Sequence, residues 1–334
     1  MPKPESKVSI LVPFYQVERY IERCARSVLE QSYQDIEYIF INDGSSDNSL
    51  SCLQKILDDF PQRINQVRII SNTTNKGLAY CRNLGIQECT GSFVFWVDAD
   101  DWITPSAIQQ LIDLQTKTDA DIVNGRVVAV GEEESHEIPF SSHSSRMDTL
   151  TGILDFSIKP MVWGRLIRTS LYRDHSIQCI EGIDYKEDFQ VVPRLFYYAG
   201  TVADLDAVIY YYNIANPLSY ISMAHSDIRV KLKKDAQDLA SIKLIQAFFR
   251  ERDQRLYKIN EKGVVYYLRE TIRGTTRTGD RALFLKSLKE LKECDKETVL
   301  QHASALYRFS RISPSLCWWI KRIRSYFLDP EYRH

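Results

Sequence analysis

The first 130 residues alternate regularly between strand-like and helix-like segments, and this alternation constrains the fold more than any other feature. Short runs of apolar and β-branched residues predict strands at 8–12, 37–41, 67–70, 93–97 and 121–125. Segments with helical spacing separate them, at about 17–31, after Ser46 or Asp47, at 78–87, and from Thr104-Pro105 to about 115. Repeated β-α units predict a Rossmann-like α/β fold, in which helices cover both faces of a mainly parallel sheet.

Polar residues stand at the ends of three of these predicted strands. They are Pro13-Phe14-Tyr15 after the first, Asp43-Gly44-Ser45 after the second, and Asp98-Ala99-Asp100-Asp101 after the fourth. In parallel α/β sheets, ligands bind beyond the carboxyl ends of the strands. We therefore expect the three segments to meet at one edge of the sheet and to form the functional site there.

Three carboxylates lie within four positions, at Asp98, Asp100 and Asp101, and their mutual repulsion is unfavourable unless something neutralises it. A divalent cation that prefers oxygen ligands, Mg²⁺ or Mn²⁺, would do so. Mg²⁺ usually binds one or two carboxylates and takes its other ligands from water and substrate phosphates, so the cluster predicts a phosphate-bearing substrate. The alternative is that these acids only form the turn and cap before the helix near Thr104.

The bulk composition argues against several classes of protein. With 334 residues, the chain is long enough for a catalytic domain and an appendage, which we place at 1–219 and 220–334. A net charge of −1 gives no support to nucleic-acid binding. The 7 cysteines form no C-x-x-C pair, the 6 histidines have no metal-ligand spacing, and no G-x-S-x-G or P-loop motif occurs.

A cytoplasmic location is expected, because there is no apolar signal core and no run of about 20 apolar residues.

Cationic residues next to a predicted helix suit a diphosphate. Lys76 precedes the helix at 78–87, and Arg82 lies within it. Lys76 could equally be an ordinary surface lysine, so Arg82 is the better candidate. Asp43 is a suitable acceptor for an N–H of a nucleobase or for a sugar hydroxyl.

In this order the motifs resemble those of the family 2 glycosyltransferases of the GT-A fold, over about residues 1–215. The matching segments are 8–15 with Glu18, Asp43-Gly44-Ser45-Ser46-Asp47, Asn75-Lys76-Gly77-Leu78 with Arg82-Asn83-Leu84-Gly85-Ile86, and Asp98-Ala99-Asp100-Asp101. The resemblance implies an enzyme that transfers a sugar, with inversion, from a nucleotide diphosphate donor such as a UDP-sugar to a hydroxyl of a glycan or lipid-linked acceptor. The setting that it implies is the assembly of bacterial surface polysaccharide.

The resemblance also implies roles for individual residues on the donor side. The nucleotide site would consist of Pro13, Tyr15, Glu18, Asp43, Lys76, Arg82 and Asp98. Mg²⁺ or Mn²⁺ would be held by Asp100 and Asp101, and which of the two touches the ion directly is left open.

Two further segments resemble the acceptor side of the family. Trp163-Gly164-Arg165-Leu166 is similar to an acceptor-lining segment, although Trp163 could instead be a core tryptophan. Glu187-Asp188-Phe189 is similar to the segment that carries the catalytic base, a role that falls to Asp188, with Glu187 beside it. From the residues alone, both acids could instead cap the helix that follows.

The remaining segments give weaker indications. Residues 131–160 are predicted to form an exposed, mobile connection, 202–205 and 208–212 to form strands, and the chain from about 227 onward to be helical. His225, which follows the serines of 219–222, is a candidate for contact with acceptor or phosphate. Residues 314–328 combine aromatic and basic side chains and predict either a peripheral helix on the inner face of the membrane or a helix packed on the protein.

Two other functions are considered as alternatives. A nucleotidyltransferase also places acids at strand ends, but it predicts a glycine-rich basic loop after the first strand, which Pro13-Phe14-Tyr15-Gln16 lacks. A non-catalytic nucleotide-sugar binding protein would not need Asp98, Asp100 and Asp188 together.

Overall fold

The computed structural model describes residues 6–141, 145–217, 228–303 and 313–328. The chain divides into two compact units, Met1–Asn216 and Pro217–His334. His225 and the serines of 219–222 lie outside the described residues, as does part of the basic C-terminal segment.

The first unit alternates strands and helices. Its strands are β1 (Val8–Phe14), β2 (Ile36–Asn42), β3 (Val67–Ser71), β4 (Phe93–Trp96), β5 (Trp102–Ile103), β6 (Ile122–Val130), β7 (Ser135–Glu137), β8 (Arg165–Arg168) and β9 (Val202–Asn213). Its helices are α1 (Ile21–Leu29), α2 (Ser49–Asp58), α3 (Leu78–Glu88), α4 (Ala107–Thr118), α5 (Arg146–Leu154), α6 (Thr169–Asp174) and α7 (Glu187–Tyr198).

The strands form a single sheet in the order β3-β2-β1-β4-β8-β6-β9-β5, with β7 paired to β6. The first four strands in this order are parallel, as is the pair β6 and β9, whereas β5, β7 and β8 pair antiparallel. Every residue of β1 and β2 is buried, including the polar Ser9, Glu37 and Asn42, which explains why both strands are otherwise mainly apolar. Because β1 lies between β2 and β4, the three predicted strand ends lie on neighbouring strands at one edge of the sheet.

Several local predictions were wrong. Helix α2 follows Asn48 rather than Ser46 or Asp47, and α4 begins at Ala107, after Ser106, rather than at Pro105. Residues 202–213 form one strand whose register shifts opposite β6, not two strands.

The predicted exposed connection at 131–160 contains a strand and a helix. Helix α5 begins after Ser145, whose side chain accepts from the amide of Asp148, and it buries Leu150, Ile153 and Leu154. Its weak amphipathic periodicity and the polar residues before it conceal the helix in the sequence.

The second unit is helical in its described part. Its helices are α8 (Ile228–Arg250), α9 (Gln254–Thr278), α10 (Arg281–Glu293) and α11 (Pro314–Leu328), and residues 296–303 are also helical. On α11, Trp318 packs edge-on against Phe284 with ring centroids 5.0 Å apart, whereas Trp319 is 56% exposed and Ile320 41% exposed. No described helix is both long and apolar enough to cross a membrane.

Candidate active site

The acidic turn that follows β4 is held in place by β9. Asp101 is fully buried, and its Oδ1 accepts from the amide of Asn213 at 2.8 Å while its Oδ2 accepts from the hydroxyl of Tyr210 at 2.6 Å. Burial, with the nearby charges of Asp100 and Asp98, raises the pKa of Asp101 well above its ordinary value. Because both oxygens already bind the protein, this geometry does not support the predicted role of Asp101 as a metal ligand and indicates a structural one.

Asp100 has a different environment in the same turn, where it is half-buried. Its Oδ2 accepts from Nδ2 of Asn216 at 2.7 Å, and its carbonyl oxygen accepts from Nη2 of Arg23 at 3.1 Å. Burial raises the pKa of Asp100, and the charge of Asp98 adds to the effect. A divalent cation would relieve this unfavourable charge, and carboxylate oxygen is a ligand that Mg²⁺ and Mn²⁺ prefer. The chemistry of Asp100 therefore fits the predicted cation.

The residues that the structure describes contain no group of three or more histidine, cysteine, aspartate or glutamate side chains that could hold a metal ion. A cage made by the protein alone is not needed for Mg²⁺, which commonly binds one or two carboxylates and takes its remaining ligands from phosphates and water. A cation at Asp100 would accordingly depend on the substrate for most of its ligands.

Arg82 joins the acid at the end of β4 to the acids at the start of α7. Its Nη2 lies 2.8 Å from Oδ1 of Asp98, 3.5 Å from Oε1 of Glu187 and 3.7 Å from Oδ1 of Asp188. The guanidinium also lies 4.8 Å from the ring centroid of Trp96. The Arg82 side chain is 5% exposed, so the predicted direct contact between Arg82 and a diphosphate is not supported here, and Arg82 instead assembles the acids.

Burial and charge act in opposite directions within this cluster. Burial alone would lower the pKa of Arg82, but Asp98, Asp188 and Glu187 outweigh it and raise the pKa. Burial, with the charge of Asp188, raises the pKa of Glu187 well above its usual range. Burial also raises the pKa of Asp188 to about 6, although Arg82 opposes the shift. A carboxyl with this pKa is suited to exchange protons near neutral pH.

Asp43, at the end of β2, is buried and closes the loop that precedes α3. Its Oδ1 accepts from the amide of Lys76 at 2.9 Å and from Nδ2 of Asn72 at 2.8 Å, and its Oδ2 accepts from the amide of Gly77 at 2.8 Å. Asp43 therefore shapes the predicted nucleoside site in addition to any contact that it makes with a ligand.

The chain after β1 lies against the loop before α2. Oε2 of Glu18 accepts from the amide and from Nδ2 of Asn48 at 3.0 and 3.2 Å, and the amide of Glu18 donates to Asp47 at 3.1 Å. Pro13 is buried in β1, whereas Tyr15 is 40% exposed. Of these predicted nucleotide residues, Tyr15 has a largely exposed ring at the strand end, and Glu18 holds the loop.

The N-terminus of α3 is occupied by carboxylates of the protein. Oδ1 of Asp184 accepts from the amide of Ala79 at 3.0 Å, and a Cβ added to Gly77 would lie 2.4 Å from the same oxygen. Lys76 points elsewhere, with Nζ 3.2 Å from the hydroxyl of Tyr80. The predicted use of this helix end for a diphosphate is therefore not supported, because Asp184 caps it.

Trp163 is a core tryptophan and is 2% exposed. Its ring stacks on Tyr210, Tyr212 and Phe140, with centroids 4.8, 5.2 and 5.7 Å apart. The prediction that Trp163 itself lines the acceptor side is not supported, since its large ring fills the space beneath β9.

A separate cavity of about 310 Å³ lies among β6, β7 and β9. Within its lining, Nδ2 of Asn124 donates to Asp204 at 2.7 Å, and Arg126 binds both carboxylate oxygens of Glu137 at 2.9 and 2.7 Å. None of the residues predicted for the active site lines this cavity. The acid cluster around Arg82 is therefore the better candidate site.

Sequence reasoning missed Tyr210, Asn216 and Asp184. They lie 109, 116 and 105 positions from the partners that they bind, Asp101, Asp100 and Ala79. No spacing rule connects residues so far apart, and the only signal in the sequence is that β9 contains several tyrosines.

Comparison with known proteins relates these features to a family. The family model described as Glycosyl transferase family 2 matches residues 9–180, just over half of the 334 residues. The uncharacterized glycosyltransferase EpsJ of Bacillus subtilis (strain 168) is 32% identical over 219 residues, which is 64% of this chain and 62% of EpsJ. The chain thus spans less than two thirds of the length of this relative.

Solved structures share the fold. That of S. aureus TarS 1–349 in complex with UDP-GlcNAc has a TM-score of 0.69 at 17% identity and covers 95% of this chain and 91% of its own. The mannosyltransferase PcManGT from Pyrobaculum calidifontis, in complex with GDP-Man and Mn²⁺, has a TM-score of 0.52 at 13% identity, with 97% and 88% covered. At these identities the likeness establishes the fold, which confirms the predicted GT-A architecture with C-terminal helices. With the family model matched over more than half of its length, the chain belongs to glycosyl transferase family 2.

Proposed function

We propose that the protein is an inverting glycosyltransferase that moves a sugar from a nucleotide diphosphate donor, a UDP-sugar, to a hydroxyl of a glycan or lipid-linked acceptor. The observation that carries the proposal is the contact of one buried cation, Arg82, with acids from both halves of the site. Asp98 belongs to the strand end where a sugar nucleotide is expected, and Glu187 and Asp188 begin the helix on the other side. An enzyme that joins two substrates needs such a meeting point, whereas a simple binding protein does not.

Asp188 is proposed as the general base. In an inverting transfer, a base takes the proton of the acceptor hydroxyl while that oxygen attacks the anomeric carbon on the face opposite the departing diphosphate. With its pKa raised to about 6 by burial, Asp188 is largely deprotonated at neutral pH and still basic enough to accept the proton. Glu187, also buried, lies beside it on the acceptor side.

The donor is proposed to bind along the ends of β1, β2 and β4. Tyr15 supplies an exposed ring for the base, Asp43 and the loop that it closes shape the nucleoside site, and Asp98 lies near the ribose. Asp100 is the residue that would hold Mg²⁺ or Mn²⁺, which when bound neutralises the charge of the diphosphate leaving group. The TarS complex with UDP-GlcNAc supports a UDP-sugar as donor, and the PcManGT complex with GDP-Man and Mn²⁺ supports the ion.

A peripheral position on the inner face of the cell membrane is proposed through α11. Trp319 and Ile320 are both exposed there, and Lys321 follows them directly. Exposed aromatic and apolar side chains next to a cation suit the interface of an anionic leaflet. Such a position would bring the site to lipid-linked acceptors of surface polysaccharide assembly, the setting that the family resemblance implies.

The decisive experiment combines donor binding with turnover. A thermal-shift screen of nucleotide sugars, with and without Mn²⁺, should identify a donor that raises the melting temperature by mass action. The same donor should then release its nucleoside diphosphate when glycan or lipid-linked acceptors are supplied. Release of pyrophosphate instead would indicate a nucleotidyltransferase, and binding without any turnover would indicate a non-catalytic binding protein.

A further inference from the structure

The contacts of Arg82 use one end of its guanidinium. Nη2 makes all three contacts with the carboxylates of Asp98, Glu187 and Asp188, at 2.8, 3.5 and 3.7 Å. Among the described residues, Nε and Nη1 of Arg82 are buried with no hydrogen-bond partner, and so is Oδ1 of Asp188. A buried arginine that served stability alone would be expected to use its planar fork in a bidentate pair, because each unpaired buried polar group costs free energy.

These unpaired groups leave the cluster able to rearrange. Asp98 is the most accessible of the three acids, with 26% of its side chain exposed, whereas Glu187 and Asp188 are each 9% exposed. A ligand can therefore reach Asp98 while the other two acids stay covered. A hydrogen bond between a ligand and Asp98 weakens the ion pair between Asp98 and Arg82. The nearest other carboxylates to Arg82 are then those of Glu187 and Asp188.

We propose that Arg82 is a positioning residue that keeps Asp98 at a fixed separation from the pair Glu187 and Asp188. When a sugar nucleotide binds Asp98, the ion pair between Arg82 and Asp98 weakens, and the contacts of Arg82 with Glu187 and Asp188 become stronger. This inference rests on the proposed function, in which Asp98 lies on the donor side and Asp188 is the base. Donor binding thereby prepares the base for the acceptor. The coupling discourages proton abstraction when no sugar is present to be transferred.

Arg82 is the cation whose charge most directly affects the pKa of Asp188. The titratable groups with an electrostatic interaction with Asp188 include Arg82, Asp98, Arg165, Tyr172, Cys179, Tyr212 and Glu187. Arg165 is the other cation among them, but its guanidinium binds the carbonyl oxygens of Met161 and Phe140 and the side-chain oxygen of Asn124. The charge of Arg82 opposes the rise in the pKa of Asp188 that burial causes.

The test compares Arg82→Gln and Arg82→Lys with the unaltered protein in steady-state kinetics across about pH 5.5 to 9. Removal of an opposite charge at this range should move the acidic limb of kcat upward by about one to three pH units. A move of about two units leaves about one tenth of Asp188 deprotonated at neutral pH, so kcat should fall about tenfold there and recover at high pH. Arg82→Lys keeps a positive charge, so the acidic limb of its kcat profile should lie between those of the unaltered protein and Arg82→Gln. In both variants the KM for the donor should change much less than kcat.

Arg173→Gln is the matched control. Nη2 of Arg173 also donates near α3, to the carbonyl oxygens of Ile86 and Cys89 at 3.1 and 2.6 Å, whereas the ion pairs described for Asp98, Glu187 and Asp188 are with Arg82. This variant should leave the pH profile in place. A kcat that falls equally at every pH in Arg82→Gln, or a raised donor KM with an unmoved limb, would overturn the proposal.

A second measurement does not depend on turnover. Calorimetric titration with the donor, in buffers of different ionisation enthalpy, reports the protons released or taken up on binding. Proton release at mildly acidic pH that is lost in Arg82→Gln supports the coupling, and equal proton counts in both proteins contradict it. Absence of transfer in the unaltered protein would overturn the proposed function alone, because the proton count still tests Arg82. If Arg82→Gln fails to fold, Arg82→Lys carries both measurements.

Discussion

The hydroxyl of Tyr210 donates a hydrogen bond of 2.6 Å to Oδ2 of Asp101, and both side chains are fully buried. The same hydroxyl accepts from the amide of Asp98 at 3.1 Å. One tyrosine on β9 thus holds both ends of the turn on which the donor side of the site is built. The stability of this turn and the chemistry of its acids are therefore separable by mutation.

Tyr210→Phe should destabilise the protein by about 1–3 kcal/mol, because it leaves a buried carboxylate oxygen without its donor. The free energy of unfolding in urea measures the effect. Tyr211→Phe is the control, since the Tyr211 ring stacks on Trp102 at 5.3 Å and a phenyl ring keeps that contact, so its cost should stay below about 0.5 kcal/mol. Equal costs in the two variants would show that the hydrogen bond to Asp101 contributes nothing.

Transfer should become slower at acid pH, with a midpoint set by Asp188. Burial raises the pKa of Asp188 to about 6 in the ligand-free protein, and a base must be deprotonated to act, so kcat/KM for the donor should increase with pH through this value and then level off. Asp188→Asn should lower kcat by about 10²–10⁴-fold while donor affinity is kept. Asp174→Asn, at the end of α6, should have little effect, and full transfer by Asp188→Asn would refute the assignment of the base.

Asp100 and Asp101 should differ sharply when each is altered. Asp100→Ala should reduce the stabilisation that the donor gives with Mn²⁺ and leave the smaller stabilisation without Mn²⁺ nearly unchanged. Asp101→Asn should instead lower the melting temperature of the ligand-free protein, because Asp101 binds Tyr210 and Asn213. The measurement is a thermal shift with nucleotide and Mn²⁺ or chelator, and unaltered affinity in Asp100→Ala would remove Asp100 from the metal site.

Gly77 and Gly182 form a natural pair for testing the cap of α3. Both have positive φ, of 93° and 81°, but a Cβ on Gly77 would lie 2.4 Å from Asp184, whereas one on Gly182 would meet no atom of the described residues within 4 Å. Gly182→Ala should cost only the strain of its backbone, about 1–2 kcal/mol. Gly77→Ala should cost more and should also impair transfer, since it displaces the segment that leads to Asp188. Equal losses in unfolding free energy would contradict the role of Asp184.

Binding to lipid should depend on the exposed side chains of α11. The protein should co-sediment with vesicles of anionic phosphatidylglycerol at low salt, and much less with vesicles of phosphatidylcholine. Replacement of Trp319 and Ile320 by alanine should abolish this binding. Tyr266→Ala, which removes another exposed aromatic ring of the second unit, should not. Binding that is insensitive to Trp319 and Ile320 would exclude α11 as the contact.

The sequence was most informative where a local pattern dictates structure. The apolar runs of β1, β2 and β4 predicted the sheet, and the sheet order placed the segments around Tyr15, Asp43 and Asp98 on neighbouring strands. The motif at Glu187 and Asp188 located the start of α7, where the structure brings both acids to Arg82.

The sequence was least informative about which residues hold the site together. Tyr210 and Asp184 act on partners more than 100 positions away, and such contacts depend on packing between elements rather than on spacing. The geometry does not support the metal role predicted for Asp101, and it favours the core alternative for Trp163, for a related reason. A residue type shows what chemistry is available, whereas only burial and partners show whether that chemistry is already used within the fold.

The pairing of Asp101 with Tyr210 has an evolutionary consequence. A carboxylate that serves only to anchor a strand is exchangeable, provided that its partner changes with it, and a well-packed apolar pair of similar volume is a feasible substitute. Related enzymes could therefore lose the third acid of this turn together with the tyrosine and stay active, while loss of either one alone would be disfavoured. The last aspartate is accordingly a poor marker for deciding whether a homologue is functional, and its covariation with position 210 is a better one.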